Sequence, residues 1–217
     1  MNARRVLIAA SILCFGITAA IPPQKTWRFD STKKIGGHAT TILGHPRIIN
    51  TPKGKAVEFN GVDDALFLDV HPLAGAETWT WEVIFRPDVG GSPEQRFFHL
   101  SENGTENRML FEIRLTGNEW CLDSYAQGGA GRQALMDRKK LHPAGEWYHA
   151  AAVYDGKEFR NYVDGVLEGK ADLKLDPQKA GRTSIGVRIN KVNYFKGAVR
   201  EARMTPRALT VAEFLKK

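Results

Sequence analysis

Cysteine is nearly absent from this chain: Cys14 and Cys121 are the two in 217 residues. An internal disulfide framework is therefore excluded, and a packed core has to hold the fold. Histidine is sparse as well, and the six present show no zinc-ligand spacing. Long apolar runs are missing except across residues 6–20, softened by Ser11, Gly16 and Thr18. That run follows Arg4-Arg5 and ends in Thr18-Ala19-Ala20. It falls short of the ~20 residues of a membrane span. Its basic start, apolar middle and small-residue end are those of a secretory signal peptide. Residues 1–20 are thus expected to be cleaved, leaving residues 21–217 as a secreted or periplasmic protein with no stable membrane span. Cys14 would leave with the leader, and the lone Cys121 is expected to be buried and inert.

Charge of one sign is not concentrated anywhere. The formal net charge is +7, but the basic residues are scattered and the densest run is only Arg138-Lys139-Lys140. Such a short run reads as a solvated loop, and no nucleic-acid-binding motif accompanies it. Nucleic acid is therefore not an expected partner, while attraction to an acidic polysaccharide is physically allowed. Internal repeats and low-complexity stretches are also lacking. Residues 21–217 fit one domain, since a single all-β sandwich routinely reaches ~200–250 residues.

What the chain does contain is alternation. Over residues 78–86, Trp79, Trp81, Val83 and Phe85 alternate with Thr80, Glu82, Ile84 and Arg86, a period-two strand. Further strands are predicted at 27–30, 96–100, 109–115, 120–126, 147–154, 159–163, 183–189 and 199–204. Asn60-Gly61, Asn103-Gly104, Gly117-Asn118, Gly128-Gly129, Asp155-Gly156 and Asp164-Gly165 punctuate them as turns. Many short strands at this spacing argue an all-β sandwich or jelly roll. Thr210 followed three residues later by Glu213 predicts a capped short C-terminal helix, with Leu209 packing just before it. Trp27, Trp79, Trp81, Trp120 and Trp147 are expected in the core, as are Ala151 and Val153, with His149 at the core edge.

Three stretches carry a family resemblance. Trp147-Tyr148-His149-Ala150-Ala151-Ala152-Val153-Tyr154-Asp155-Gly156, followed by Tyr162-Val163-Asp164-Gly165, resembles the central hairpin of laminin-G-like, concanavalin A-like lectin and glucanase domains. Residues 56–68, with Asn60-Gly61-Val62-Asp63-Asp64, are similar to the opening hairpin of that family. Residues 194–213 are similar to its closing strand and tail, except that Arg200 stands where the family usually has an acid. The resemblance covers nearly all of residues 27–215. It implies a two-sheet antiparallel jelly-roll sandwich of the concanavalin A-like type.

For function it implies non-catalytic recognition of a glycan or cell-surface ligand, with extracellular or cell-envelope carbohydrate as the expected one. The alternatives are a polysaccharide-active glycosidase or lyase and a protein-adhesion module. The E-x-D-x-x-E strand of laminarinase-like glycosidases is missing. The resemblance also brings in Ca2+, for which Asp30, Asn60, Asp63 and Asp64 are the candidate ligands; ordinary turn chemistry accounts equally for these residues. Alternation nominates one outward-facing carbohydrate patch: Glu82, Arg86, His99, Glu112, Arg114, Asp123 and Tyr125, a set of planar polar groups with an aromatic ring. The same register turns Cys121 outward, against the expectation that it is buried.

Overall fold

The computed structural model describes residues 23–217; the expected leader and Cys14 lie outside the described residues. The strands in chain order are β1 (Lys25–Arg28), β2 (Lys34–Ile35), β3 (His38–Ala39), β4 (Thr41–Leu43), β5 (Arg47–Thr51) and β6 (Gly54–Asn60). Next come β7 (Ala65–Leu68), β8 (Trp79–Pro87), β9 (Glu94–Glu102), β10 (Arg108–Thr116), β11 (Glu119–Gly128) and β12 (Gly131–Met136). The last six are β13 (His142–Pro143), β14 (Tyr148–Tyr154), β15 (Glu158–Val163), β16 (Val166–Asp172), β17 (Gly181–Ile185) and β18 (Lys196–Thr205). They form the expected antiparallel sandwich. One sheet runs β16-β15-β14-β8-β18-β6-β5, with β1 also on β18; the other runs β12-β11-β10-β9-β17-β7-β4, with β13 on β11. The expected C-terminal helix is a single 3-10 turn, Val211–Glu213. The Glu213 carboxylate still accepts hydrogen bonds from the Thr210 N–H and hydroxyl, at 2.9 and 3.0 Å.

The Asp164-Gly165 turn behaves as read: φ is 49° and 80°, the left-handed pair that a tight two-residue hairpin requires. The alternation of β8 also holds, because Trp79, Trp81, Val83 and Phe85 all enter the inter-sheet core. There they meet aromatics from the second sheet. Phe85 stacks on Phe97 at 4.1 Å between centroids, Phe97 on Phe111 at 5.5 Å, and Trp81 lies 4.3 Å from Phe111. Such offset and tilted pairs add to the burial of large apolar area.

Strict alternation fails at β9. Phe97 and Phe98 are both fully buried in the core. A bulge makes this possible: Phe111 pairs with Phe98, but its neighbour Glu112 pairs with Arg96. The extra residue shifts the parity, so that Arg96 and His99 share the outer face.

The first sheet corrects another expectation. On β14 the inter-sheet core takes Tyr148, Ala150, Ala152 and Tyr154. Ala151 and Val153 point outward, where they are buried beneath Leu209 and Phe214 of the C-terminal tail. Trp147 precedes the strand and is partly exposed, whereas the other four tryptophans are buried as expected. The tail is pinned by polar groups: the Leu209 N–H donates to Thr80 Oγ1 at 2.8 Å and the Leu215 N–H to Glu82 Oε1 at 2.7 Å.

Phe97 is 0% exposed and bridges the two sheets. Phe97→Ala is expected to cost ~3–5 kcal/mol, as for other buried aromatic truncations, read as a lower urea midpoint with an unchanged slope.

Candidate functional site

The bulge and the β9–β10–β11 register lay a ladder of charges across the outer face of the second sheet. Glu112 lies opposite Arg96 on one side and Asp123 on the other, while Arg114 lies opposite Glu94 and Cys121. Arg96 Nη1 is 3.1 Å from Glu94 Oε2, and its Nε is 3.1 Å from Glu112 Oε2. Arg114 Nη2 bridges the two central carboxylates, 3.1 Å from Glu112 Oε2 and 2.6 Å from Asp123 Oδ2. Opposite charges directly across neighbouring strands support each other. Glu112 and Asp123 are buried by their neighbours in this array, although they face away from the core.

That burial sets the protonation states. It pushes the Asp123 carboxyl up to about 6; the nearby Glu112 carboxylate adds to the shift and Arg114 opposes it. His99 is driven down to about 3, first by burial and then by the cations of Arg188 and Arg108. The His99 Nδ1 accepts the Ile189 N–H at 3.0 Å, so the proton of the neutral ring sits on Nε2. That Nε2 is buried with no hydrogen-bond partner.

Next to this array, the Tyr125 hydroxyl donates to Gln127 Oε1 at 2.6 Å, and the Arg108 guanidinium lies over its ring at 4.6 Å. Arg108 Nη1 also donates to Gln127 Oε1 at 2.9 Å. The ring, the amide and the guanidinium therefore hold one another in place. Cys121 resolves its two expectations at once: it shares the outward register of Arg114 and is nonetheless buried. Burial pushes its thiol up, away from the reactive thiolate.

Five of the seven expected patch residues are thus brought together: His99, Glu112, Arg114, Asp123 and Tyr125. Glu82 and Arg86 are not among them. They lie on β8, on the outer face of the opposite sheet. Glu82 is wholly buried under the C-terminal tail, 3.0 Å from His149 Nε2 and 2.5 Å from Arg203 Nε. Burial alone would raise its carboxyl, but hydrogen bonds from His149, Arg203 and the Leu215 N–H hold it below the ordinary carboxylate range. It works as an anchor for the tail, and His149 is its buried partner. Arg86 pairs with Asp88 at 2.7 Å and Glu58 at 3.2 Å. Alternation missed Arg96 and Glu94, because the bulge that turns them outward has no period-two signature.

The calcium candidates do not form one ligand set. Asn60 Oδ1 accepts the N–H groups of Val62, Asp63 and Asp64. Asp64 accepts those of His45 at 2.6 Å and Asn60 at 3.0 Å, while Asp63 Oδ1 accepts from Asn60 Nδ2 at 2.7 Å. These oxygens serve the β6–β7 turn. The cavity beside Asn60 and Asp64 is bordered by Arg47 and Lys196, and Asp30 lines a different one. Among the described residues, no group of three or more His, Cys, Asp or Glu side chains is placed to hold a metal ion.

A sandwich of two antiparallel sheets with this strand order is the architecture of jelly-roll domains. The chain belongs to the concanavalin A-like lectin/glucanases superfamily, which matches it over residues 60–214. Among curated proteins none matches it in sequence. Solved structures share the fold. One is domain 4 of AbnA, a GH43 extracellular arabinanase from Geobacillus stearothermophilus, in complex with arabinotriose. The TM-score is 0.57 at 19% identity, over 87% of this chain and 94% of that one. Another is the receptor binding domain of botulinum neurotoxin C/D mosaic serotype, at TM-score 0.64 and 11% identity, over 87% of this chain and 49% of that one. The binding domain of Paraclostridial Mosquitocidal Protein 1 is similar at TM-score 0.63 and 11% identity, over 87% and 50%. This chain therefore spans about half of each toxin domain.

Two titrations on the array act in opposite senses. The unfolded chain protonates His99 near pH 6.5 but the fold does not until about pH 3, so His99 makes stability fall as pH drops through that interval. Between about 3.8 and about 6 the fold keeps a proton on Asp123 that the unfolded chain has released, so Asp123 makes stability fall as pH rises. Thermal melts from pH 4 to 6.5 should show a steeper rise with pH in Asp123→Asn and a shallower one in His99→Asn. Chelation with EDTA should leave the melting temperature unchanged; a drop reversed by calcium would restore the metal reading.

Proposed function

We propose that this protein is an exported, non-catalytic recognition domain that binds extracellular or cell-envelope carbohydrate on the outer face of β9, β10 and β11. The observation that carries the reading is the pre-ordered array of Arg96, Glu112, Arg114 and Asp123 beside the half-buried ring of Tyr125. Sugars are bound by planar charged groups that hydrogen-bond their hydroxyls and by aromatic rings that lie against their C–H faces. A binding face gains affinity when its groups are held in place beforehand, because little side-chain entropy is then lost on binding. The arabinanase domain that shares this fold was solved with arabinotriose, and two toxin domains that share it are named for binding. The basic leader expected at residues 1–20 supports export.

A second reading rests on one specific observation. Glu112 and Asp123 both touch Arg114 Nη2, and Asp123 is protonated up to about pH 6. A carboxylic acid next to a carboxylate is the pairing a glycoside hydrolase uses.

A glycan array probed with the protein separates these readings. Binding to at least one neutral glycan is expected, and Tyr125→Ala is expected to weaken it roughly tenfold, equivalent to ~1.4 kcal/mol. Binding that survives both Tyr125→Ala and Arg114→Gln would remove this face from consideration. Release of reducing ends or unsaturated products from a polysaccharide panel would establish the enzyme reading. Capture of one protein partner without any glycan binding would favour adhesion.

A further inference from the structure

The opposite sheet carries a second feature that glycan recognition on β9–β11 does not use. A cavity of about 420 Å3 opens on the outer side of the first sheet, lined by Arg28, Asp30, Lys53, Lys55, Arg200 and Glu201. That volume lies within the ~300–1,000 Å3 typical of small-ligand pockets. The register explains how these side chains meet. β18 pairs with β6 through Lys196–Val199 and then with β1 through Glu201–Met204, on the same side. Arg200 sits at the switch between the two, at a bulge against β8. The turn between β5 and β6 brings Lys53 and Lys55 to the same place.

Arg200 is the unusual member. It is 7% exposed, yet among the described residues no carboxylate lies within ion-pair range and no hydrogen-bond acceptor meets its guanidinium. Its one close partner is the ring of Trp147, with the guanidinium carbon 5.5 Å from the centroid. A cation–π contact stabilises the charge but takes up none of the five N–H donors. Burial lowers its pKa, with Glu201 acting in the opposite direction. None of its guanidinium nitrogens is sealed from solvent, so its unpaired donors face the cavity, where an anion can take them up.

We propose that this cavity binds the carboxylate of a uronic acid residue in an acidic polysaccharide, with Arg200 as its planar two-point anchor. The guanidinium fork matches a carboxylate, and Arg28, Lys53 and Lys55 supply the surrounding positive potential. Asp30 and Glu201 choose between anions. Their oxygens accept hydrogen bonds from sugar hydroxyls next to the carboxylate, whereas they repel a densely charged phosphate or sulfate chain. The site lies on the face opposite Tyr125, so its occupancy is independent of the glycan face on β9–β11.

Binding of the full chain to polygalacturonate, to its methyl ester and to dextran sulfate tests this assignment. Binding to polygalacturonate that weakens with added salt is expected, with little binding to the methyl ester. Arg200→Gln is expected to reduce it about tenfold or more, as for other lost charge-assisted pairs. The exposed pair Lys53→Ala and Lys55→Ala should reduce both affinity and salt dependence, and serves as the deciding variant if Arg200→Gln does not fold. Tyr125→Ala should leave polygalacturonate binding intact, which separates failure of this site from failure of the neutral-glycan face. Absence of polygalacturonate binding, equal binding to the methyl ester or to dextran sulfate, or full binding by the double lysine variant would each overturn the proposal.

Discussion

The extra residue in β9 is the constraint around which the rest of the second sheet is arranged. By admitting both Phe97 and Phe98 to the interior, it lets one strand fill two places in the aromatic core. Phe85, Phe97, Phe111 and Phe195 then form a continuous block between the sheets. The cost is a break in the ladder, compensated by the loop after β17: the Arg96 N–H donates to the Asn193 carbonyl and the Gly186 N–H to the Phe97 carbonyl, at 2.9 and 3.0 Å. That loop also supplies the Ile189 N–H that fixes the His99 tautomer. Core packing and site electrostatics thus have one origin, and substitutions at the bulge would disturb both.

The two outer faces bury charge by different means. On the first sheet the chain folds its own tail over Glu82, His149 and Arg203, a closed cluster whose oxygens are used by side chains and by the Leu215 amide. On the second sheet the partners of Glu112 and Asp123 among the described residues are the arginines beside them. Buried ion pairs seldom stabilise more than well-packed apolar residues of the same size. Holding charged groups rigidly near a surface is a function that apolar residues cannot supply.

How much of this was legible in the sequence depended on local pattern. The alternation in β8, the Asp-Gly turns and the Thr210–Glu213 pair translated directly into structure, because each is decided by residues close in sequence. The inward and outward positions on β10 and β11 did so for the same reason. Glu82 and Arg86 were rightly turned outward but could not be assigned a sheet, since period two says in or out and not which side of the sandwich. All seven residues of β14 are buried, so its two faces carry no polar contrast and its parity was read backwards at Ala151 and Val153. Arg96 was hidden by the bulge, and Arg200 by the switch of β18 from one neighbour to another. Both are non-local events that leave no period in the sequence.

β18 has a consequence for the order in which the molecule can be assembled. It alone joins β8 on one side to β6 and β1 on the other, so the first sheet consists of separate halves until β18 is in place. Every strand it joins is made before it. The nascent chain can pair β8 with β14, β15 and β16, and β5 with β6, before β18 is made, while β1 waits unpaired through nearly the whole of synthesis. Such a topology places loop closure over almost the full chain length at the end of folding, which slows the final step and exposes open strand edges before it. A chain held extended until synthesis is complete, as translocated proteins are, would avoid that interval.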